Sequence, residues 1–349
     1  MITQFRNGAL ARLTNSLLAD LPDRYREVLE RRYGLGREAE TLEAIGEDFG
    51  VTRERVRQIE AAGFAALKKT GGEAQAGEAL TALEDYLDHH GLIRREQKMF
   101  EEIATRGEGG QLWFLLDLGS LFSRHHERDW HWSLWSSGLE VLPRAQAFLE
   151  SLCETLTEYG KAMGDDDFIT FTKEFCKKEN FDFSEPAIWS YVDVSKTIDR
   201  GPFGEWGLVD WPEIVQRGVR DRAYLVLKSK GAPMHFREVA QAIVDLRKKL
   251  DLSWPVPDEQ TVHNELLKDS RFVLMGRGLY ALHDWGYEPG TIREVITAVL
   301  GGSSHPLTPS EVLEQVLEKR MVKPTTVLLN LHNKQYFART ADGRYIVRS

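Results

Sequence analysis

The residues best suited by type and spacing to do chemistry are Arg53, Glu54, Arg57 and Gln58. On a helix, positions i, i+1, i+4 and i+5 share one exposed face. An arginine there can donate two hydrogen bonds to O6 and N7 of guanine, and a glutamate can accept from N4 of cytosine. Gln58 can read adenine or hold a phosphate. From Thr52 to Lys69, five cations stand against two carboxylates, so the segment is locally positive. Alternating arginine and glutamate also occurs on solvated, salt-bridged helices that read nothing, and the charges alone favour that bland reading. The surrounding pattern changes the balance.

The elements that must position these side chains are legible on both sides. Thr41 caps a short helix with Glu43 and Ala44 in its first turn. Gly50 suits a left-handed turn, and Thr52 ends that turn and caps a helix over about residues 53–69. Leu42, Ile45, Val51, Val56 and Ile59 supply a small core, and Ala44 leaves room for a close helix crossing. This is the layout of a helix-turn-helix, whose second helix enters the major groove by its N-terminal residues. Upstream, a helix over about residues 4–19 places Leu10, Leu13, Leu17 and Leu18 on one face. Asp20 is expected to cap the next helix, with Pro22 in its first turn and an end near Tyr33 before Gly34-Leu35-Gly36. Thr70-Gly71-Gly72-Glu73-Ala74-Gln75-Ala76-Gly77 reads as a linker.

Four stretches carry a resemblance. They are Leu21-Pro22-Asp23-Arg24-Tyr25-Arg26-Glu27-Val28-Leu29, Arg32-Tyr33-Gly34-Leu35, Thr41-Leu42-Glu43…Ile45-Gly46, and Val51-Thr52-Arg53-Glu54-Arg55-Val56-Arg57-Gln58-Ile59-Glu60-Ala61. Together they closely resemble region 4 of bacterial primary sigma factors. The resemblance implies a helix that reads the −35 element of double-stranded promoter DNA and a domain that docks on the β flap of bacterial RNA polymerase. It makes Arg53, Glu54, Arg57 and Gln58 base or backbone readers, and Arg55 and Lys68 phosphate contacts. Thr41 and Thr52 complete the expected DNA-binding set. In sigma factors a polymerase-clamping and strand-melting region precedes region 4. Here about 20 residues do, so a complete sigma factor of the usual order is not expected.

The 349 residues carry a net charge of −9, which at face value opposes a phosphate-rich partner. The charge is uneven. Residues 1–69 sum to +1, residues 70–216 to −15 and residues 217–349 to +5. DNA contacts are therefore expected at the two ends. Cys153 and Cys176 are too few and too far apart for a disulfide scaffold, which suits a reducing compartment. No apolar run reaches the roughly 18 residues of a membrane span, and Asp117 breaks the longest, near Leu112–Leu118. Met1-Ile2-Thr3-Gln4-Phe5-Arg6 lacks a signal-peptide layout. A soluble cytoplasmic protein with no membrane partner is expected.

The C-terminal part repeats itself. Thr261-Val262-His263-Asn264-Glu265-Leu266 and Phe272…Gly278…Tyr280 recur as Thr326-Val327-Leu328-Leu329-Asn330-Leu331 and Phe337…Gly343…Tyr345, 65 residues on. Pro233…Glu238-Val239 pairs with Pro306…Glu311-Val312 at an offset of 73, which leaves an 8-residue insertion near Leu252–Pro257. Gly204…Leu208…Asp210-Trp211 matches Gly278…Leu282…Asp284-Trp285 at an offset of 74. Each copy reads helix, helix, amphipathic helix, strand, glycine turn, strand, the order of a winged helix. Ala223-Tyr224-Leu225-Val226-Leu227…Gly231-Ala232-Pro233-Met234-His235-Phe236-Arg237-Glu238-Val239-Ala240, with the ending Arg271 to Trp285, resembles the HARE-HTH domain of the polymerase δ subunit. That resemblance implies DNA or polymerase association. Thr261, His263, Asn264, Lys268 and the wing-tip Arg277 are plausible DNA contacts, as are more weakly Lys323, Thr325, Thr326, Asn330, Lys334 and Arg339.

Nothing points to catalysis. His89-His90 and His125-His126…His131 lack metal-ligand spacing, Asp165-Asp166-Asp167 suits an acidic helix start, and no Gly-Lys-Ser/Thr phosphate loop is present. No cofactor and no enzyme activity are expected. Four of nine tryptophans lie between Trp113 and Trp135, where a strand hairpin over Phe122–Trp132 is possible, and they read as core residues. The expected fold is mainly α, a helix-turn-helix domain followed by tandem winged-helix units with short β-hairpin wings. The expected boundaries are 1–70 helix-turn-helix, 71–77 linker, 78–142 acidic Trp-rich helical or winged domain, 143–216 winged-helix-like unit, 217–287 HARE-HTH and 288–349 C-terminal winged helix. The leading functional expectation is a polymerase-associated promoter reader. The alternative is a polymerase-binding, δ-like or anti-sigma-like protein whose acidic middle mimics nucleic acid.

Overall fold

The computed structural model describes residues 5, 8–104, 107–138, 140–287, 290–319 and 322–348. The expected helix start at residue 4 and the boundary residue 288 lie outside them. The fold is mainly helical with small antiparallel strand pairs, as expected. The chain divides into two compact units, Met1–Val209 and Asp210–Ser349.

The first unit opens with α1 (Ala9–Leu18), α2 (Asp23–Tyr33), α3 (Leu42–Phe49) and α4 (Arg53–Lys69). Helix α2 starts later than Asp20 suggested. Pro22 is its N-cap at φ −52, and the Pro22 carbonyl accepts from the amides of Tyr25 and Arg26. Proline has no N–H to leave unsatisfied and its φ is already fixed, so it sits at a helix entry without cost. Val28, Ile45, Val56 and Ile59 form the small core of the helix-turn-helix.

The expected linker at 71–77 is not one. It holds α5 (Gly72–Gln75) and runs directly into α6 (Gly77–His89). Gly72 and Ala76 are buried, and a Cβ on Gly72 would lie 2.9 Å from the Leu67 carbonyl oxygen. Glycine serves here for close packing against α4, which composition alone cannot distinguish from a flexible tether. The boundary at residue 70 disappears with it. One apolar core takes Leu29 and Tyr33 from α2, Leu67 from α4, Leu83 and Leu87 from α6, and reaches Trp135.

After α6 come β1 (Ile93–Arg95), α7 (Glu96–Ile103), α8 (Gly109–Leu118), β2 (Phe122–His125) and β3 (Leu134–Ser137). The strands form an antiparallel sheet in the order β1-β3-β2. This is a winged helix, and its wing is the hairpin anticipated near Phe122, closed by residues 134–137. The second copy has α9 (Val141–Tyr159), α10 (Asp165–Lys178), α11 (Glu185–Val194), β4 (Ile198–Arg200) and β5 (Trp206–Leu208), with Met163 bridging Trp206 in place of a first strand. It begins two residues before the expected 143. Residues 210–216, expected with it, belong to the second unit, where Glu213 accepts from Lys228 at 2.6 Å.

The second unit holds two more copies. One has α12 (Val219–Lys230), β6 (Met234–His235), α13 (Phe236–Lys249), α14 (Glu259–Lys268), β7 (Phe272–Gly276) and β8 (Leu279–Leu282), in the sheet order β6-β8-β7. The other has α15 (Ile292–Gly302), α16 (Pro309–Lys319), α17 (Pro324–Leu331), β9 (Phe337–Arg339) and β10 (Tyr345–Val347), with Leu307 bridging Tyr345. Their cores are separate. The repeated wing glycines Gly204, Gly278 and Gly343 have φ of +85, +78 and +81, a region open to glycine and strained for other residues.

The copies differ in what their third helix does. Helix α8 is buried nearly all round, through Gln111, Leu112, Phe114, Leu115, Leu116 and Leu118. Helix α11 is likewise buried and packs on β1, where the Ser190 hydroxyl donates to the Ile93 carbonyl and Tyr191 Oη donates to the Gly91 carbonyl. Arg94, itself buried, adds ion pairs to Asp193 on α11 and Glu102 on α7. By contrast, α14 buries only Val262 and Leu266, and α17 only Val327 and Leu331.

Candidate nucleic-acid interface

The α3–α4 turn is built by local capping. Thr41 Oγ1 accepts from the Ala44 amide at 3.1 Å, Gly50 turns the chain at φ +65, and Thr52 Oγ1 accepts from the Arg55 amide at 3.2 Å. The close crossing is made at Gly46 rather than Ala44. Ala44 is exposed, whereas Gly46 is buried and a Cβ there would stand 2.7 Å from the Val51 carbonyl oxygen. A clamp that the sequence pattern did not single out completes the turn. The buried Arg31 of α2 donates to Glu40 at 2.9 and 2.6 Å and to Asp48 of α3 at 2.6 Å. These carboxylates hold its guanidinium pKa above the ordinary arginine value.

This frame brings together the first-turn residues of α4. Arg53, Glu54, Arg55, Arg57 and Gln58 are all exposed. Arg57 donates two hydrogen bonds to Glu54, at 2.9 and 2.7 Å, and Arg55 donates to Gln58 at 3.1 Å. Arg57 in turn holds the Glu54 carboxyl below the usual range. The salt-bridged face and the face expected from sequence to read bases are therefore the same surface, with side chains already ordered against one another. A groove of about 580 Å³ between α3 and α4 is lined by Glu43, Glu47, Thr52, Arg53, Glu54 and Arg57.

Lys68 does not join this set. It lies about 24 Å along the helix from Thr52, at 1.5 Å per residue. Its ammonium donates to Ser120 at 3.0 Å and lies 3.8 Å from Glu73, so it works at the seam with α5 and α8.

The back of α4 is fixed to the winged helix behind it. Tyr33 Oη donates to Asp117 of α8 at 2.6 Å, with Glu60 of α4 at 3.3 Å. The Tyr33 ring meets Phe64, Trp113 and Phe114 edge-on at 5.2 to 5.7 Å. Arg32 and Arg124 lie over the Trp113 ring at 5.1 and 4.6 Å. Burial pushes the Glu60 and Asp117 carboxyls up. Sequence reading found none of this seam. A usable signal existed, because α8 is apolar on nearly every face apart from Gln111 and Asp117, and such a helix must be enclosed.

In the second unit Thr261, Asn264, Lys268 and Arg277 are exposed. Lys268 is 3.2 Å from Glu265, and Asn264 accepts from Gln260 at 3.2 Å. Arg277, at φ +49, occupies the wing tip. His263 is set apart from them. It is half-buried, with Nδ1 3.0 Å from Tyr280 Oη and its ring 4.6 Å from Phe236. In the last copy Lys323 is the N-cap of α17, Asn330 donates to the Thr326 carbonyl, and Thr325, Lys334 and Arg339 are exposed. Asp165 accepts from Arg200 and from the Trp206 indole, which gives the aspartate run a structural task.

Two comparisons bear on this geometry. Residues 17–69 match the family Sigma-70, region 4. The RNA polymerase sigma factor SigA of Clostridium acetobutylicum is 46% identical over 74 residues, which are 21% of this chain and 18% of that protein. The chain thus spans under a fifth of the length of this relative. The N-terminal helix-turn-helix, with its exposed α4 face, is accordingly similar to sigma-70 region 4.

Proposed function

We propose that this chain is a DNA-binding, sigma factor-like transcription factor. Helix α4 enters the major groove of a −35-like promoter element by its first turn. Arg53, Glu54, Arg57 and Gln58 contact base edges, and Arg55 contacts phosphate. The observation that carries this reading is the joint exposure of these side chains on a Thr52-capped turn inside the segment that matches region 4. Bacterial RNA polymerase is the proposed partner through the same domain, and regulation of initiation in the cytoplasm is the proposed task, without catalysis. Residues 217–287, which resemble HARE-HTH, and the winged helix after them give the chain a second engagement. Two tethered contacts raise effective concentration without any new interface.

The test is fluorescence anisotropy with −35-containing and scrambled duplexes across a salt series. The wild-type chain should prefer the −35 duplex, and Arg53→Ala should abolish the preference. Equal binding of both duplexes by the wild-type chain overturns the promoter reading. One observation favours a second reading, a polymerase-binding protein whose acidic middle mimics nucleic acid. Helices α8 and α11 are buried, so the acidic body has no third helix free to read a groove. Retained polymerase co-purification after charge reversal at Arg53 and Arg57, with no DNA preference in the wild type, would support it.

A further inference from the structure

Four winged helices in one chain permit an internal comparison of the part that can meet a groove, the third helix and wing. In the first copy, residues 109–137 hold two cations and three carboxylates. Residues 185–208 of the second hold two and four, and residues 258–282 of the third hold three and four. Residues 322–348 of the last hold five and one, whereas its preceding residues 290–319 hold two and four. The last copy is electrically polarised, and its third-helix-and-wing half carries the positive pole.

The geometry concentrates that charge further. The end of α17 and strands β9 and β10 bound a groove of about 550 Å³ whose polar lining, among the described residues, is His332, Lys334, Arg339 and Arg348, with no carboxylate. Its aromatic floor, Phe337 and Tyr345, is 2% and 4% exposed, so it offers no open ring to a base. Arg348 Nη1 donates to the Lys334 carbonyl at 2.7 Å, which fixes one cation beside the next. Arg339 folds over the wing turn, its Nε 3.4 Å from the Gly343 carbonyl. Arg344 takes no part, because it is turned to the Pro306 carbonyl and to Glu311. Cations at a helix C-terminus satisfy its dipole. That accounts for Lys334 but not for Arg339 and Arg348, which come from the wing. Gathering like charges with no carboxylate among the described residues that line the groove costs free energy that a bound polyanion relieves.

We propose that this groove binds the phosphate backbone of duplex DNA, and that it is the second nucleic-acid contact of the chain. The third winged helix is the poorer candidate, since α14 is capped by Asp258, begins with Glu259 and carries Glu265 on its flank. The choice of DNA over an acidic protein rests on the reading of the N-terminal helix-turn-helix as a DNA binder.

The experiment uses the full chain and measures the slope of log affinity against log salt on the −35 duplex. Each lost phosphate contact lowers the slope magnitude by about 0.9. The triple variant Lys334→Gln, Arg339→Gln, Arg348→Gln should lower it by about 2.7 while keeping the preference over scrambled duplex. Lys334→Gln alone leaves in place the backbone carbonyl that Arg348 uses, and should lower it by about 0.9. Arg53→Ala should lose the preference and keep most of the slope. A triple variant with an unchanged slope overturns the groove, whatever the helix-turn-helix does. A lowered slope in a chain that shows no −35 preference supports the groove and removes the promoter reading instead.

Discussion

Replacing Gly110 by alanine tests whether the helix-turn-helix is seated on the winged helix behind it. Gly110 lies in the first turn of α8, and a Cβ there would stand 1.9 Å from the Tyr33 carbonyl oxygen, against an ordinary contact of 3.4 Å or more. The C-terminus of α2 would have to retreat by roughly 1.5 Å. That displacement pulls the Tyr33 ring from Trp113 and Phe114 and breaks its hydrogen bond to Asp117. Overpacking of this kind costs about 1–3 kcal/mol, and losing a part-buried hydrogen bond adds about 1 kcal/mol. Alanine returns up to about 1 kcal/mol of helix propensity. The net is a loss of about 1–3 kcal/mol, which in a unit of some 200 residues lowers the melting temperature by about 2–12 °C at 2–4 °C per kcal/mol. Gly109→Ala is the matched control, since its nearest neighbour would be Phe100 at 3.7 Å. It should be neutral or raise the melting temperature slightly. Calorimetry on both variants decides. If Gly110→Ala is stabilised like Gly109→Ala, the two domains are not packed together and the seam is refuted.

Two further outcomes follow from the same surfaces. Burial raises the Asp117 and Glu60 carboxyls above their unfolded values, so their favourable contribution is full below the ordinary carboxylate range and is lost as pH rises through the raised folded values. Asp117→Asn keeps an acceptor for Tyr33 and removes the charge. Its urea midpoint should therefore gain on the wild type as pH rises toward neutrality, and a difference independent of pH would count against the buried seam. Glu54→Ala releases Arg57 from its two hydrogen bonds and deletes a base acceptor. Affinity for scrambled duplex should rise while the −35 preference falls, measured by competition. A variant that keeps its preference would remove Glu54 from the readers.

Much of the fold was legible because its signals are short-range. Thr41, Gly50 and Thr52 act on amides three residues away or on their own φ, and the wing glycines recur at the same place in each repeat, 74 and 65 residues apart. The exposed α4 turn was legible for the same reason. The misreadings came where one residue type serves two ends. Gly72 has the composition of a linker and the task of a packing contact. His263 has the pattern of a groove residue and the surroundings of a core one. Lys68 has the sign of a phosphate contact and is held by Ser120 and Glu73.

The sequence by itself determined a helix-turn-helix with a basic, exposed turn and a series of winged repeats, since caps, turns and periodicity act within a few residues. Only the tertiary structure decided which third helices remain free. Helices α8 and α11 are covered through partners far along the chain, Tyr33 with Asp117 and Ser190 with Ile93 among them. An apolar face announces that something must cover it. Which segment does so depends on the shape and charge of the whole unit, and that choice leaves the α4 turn and the last wing open.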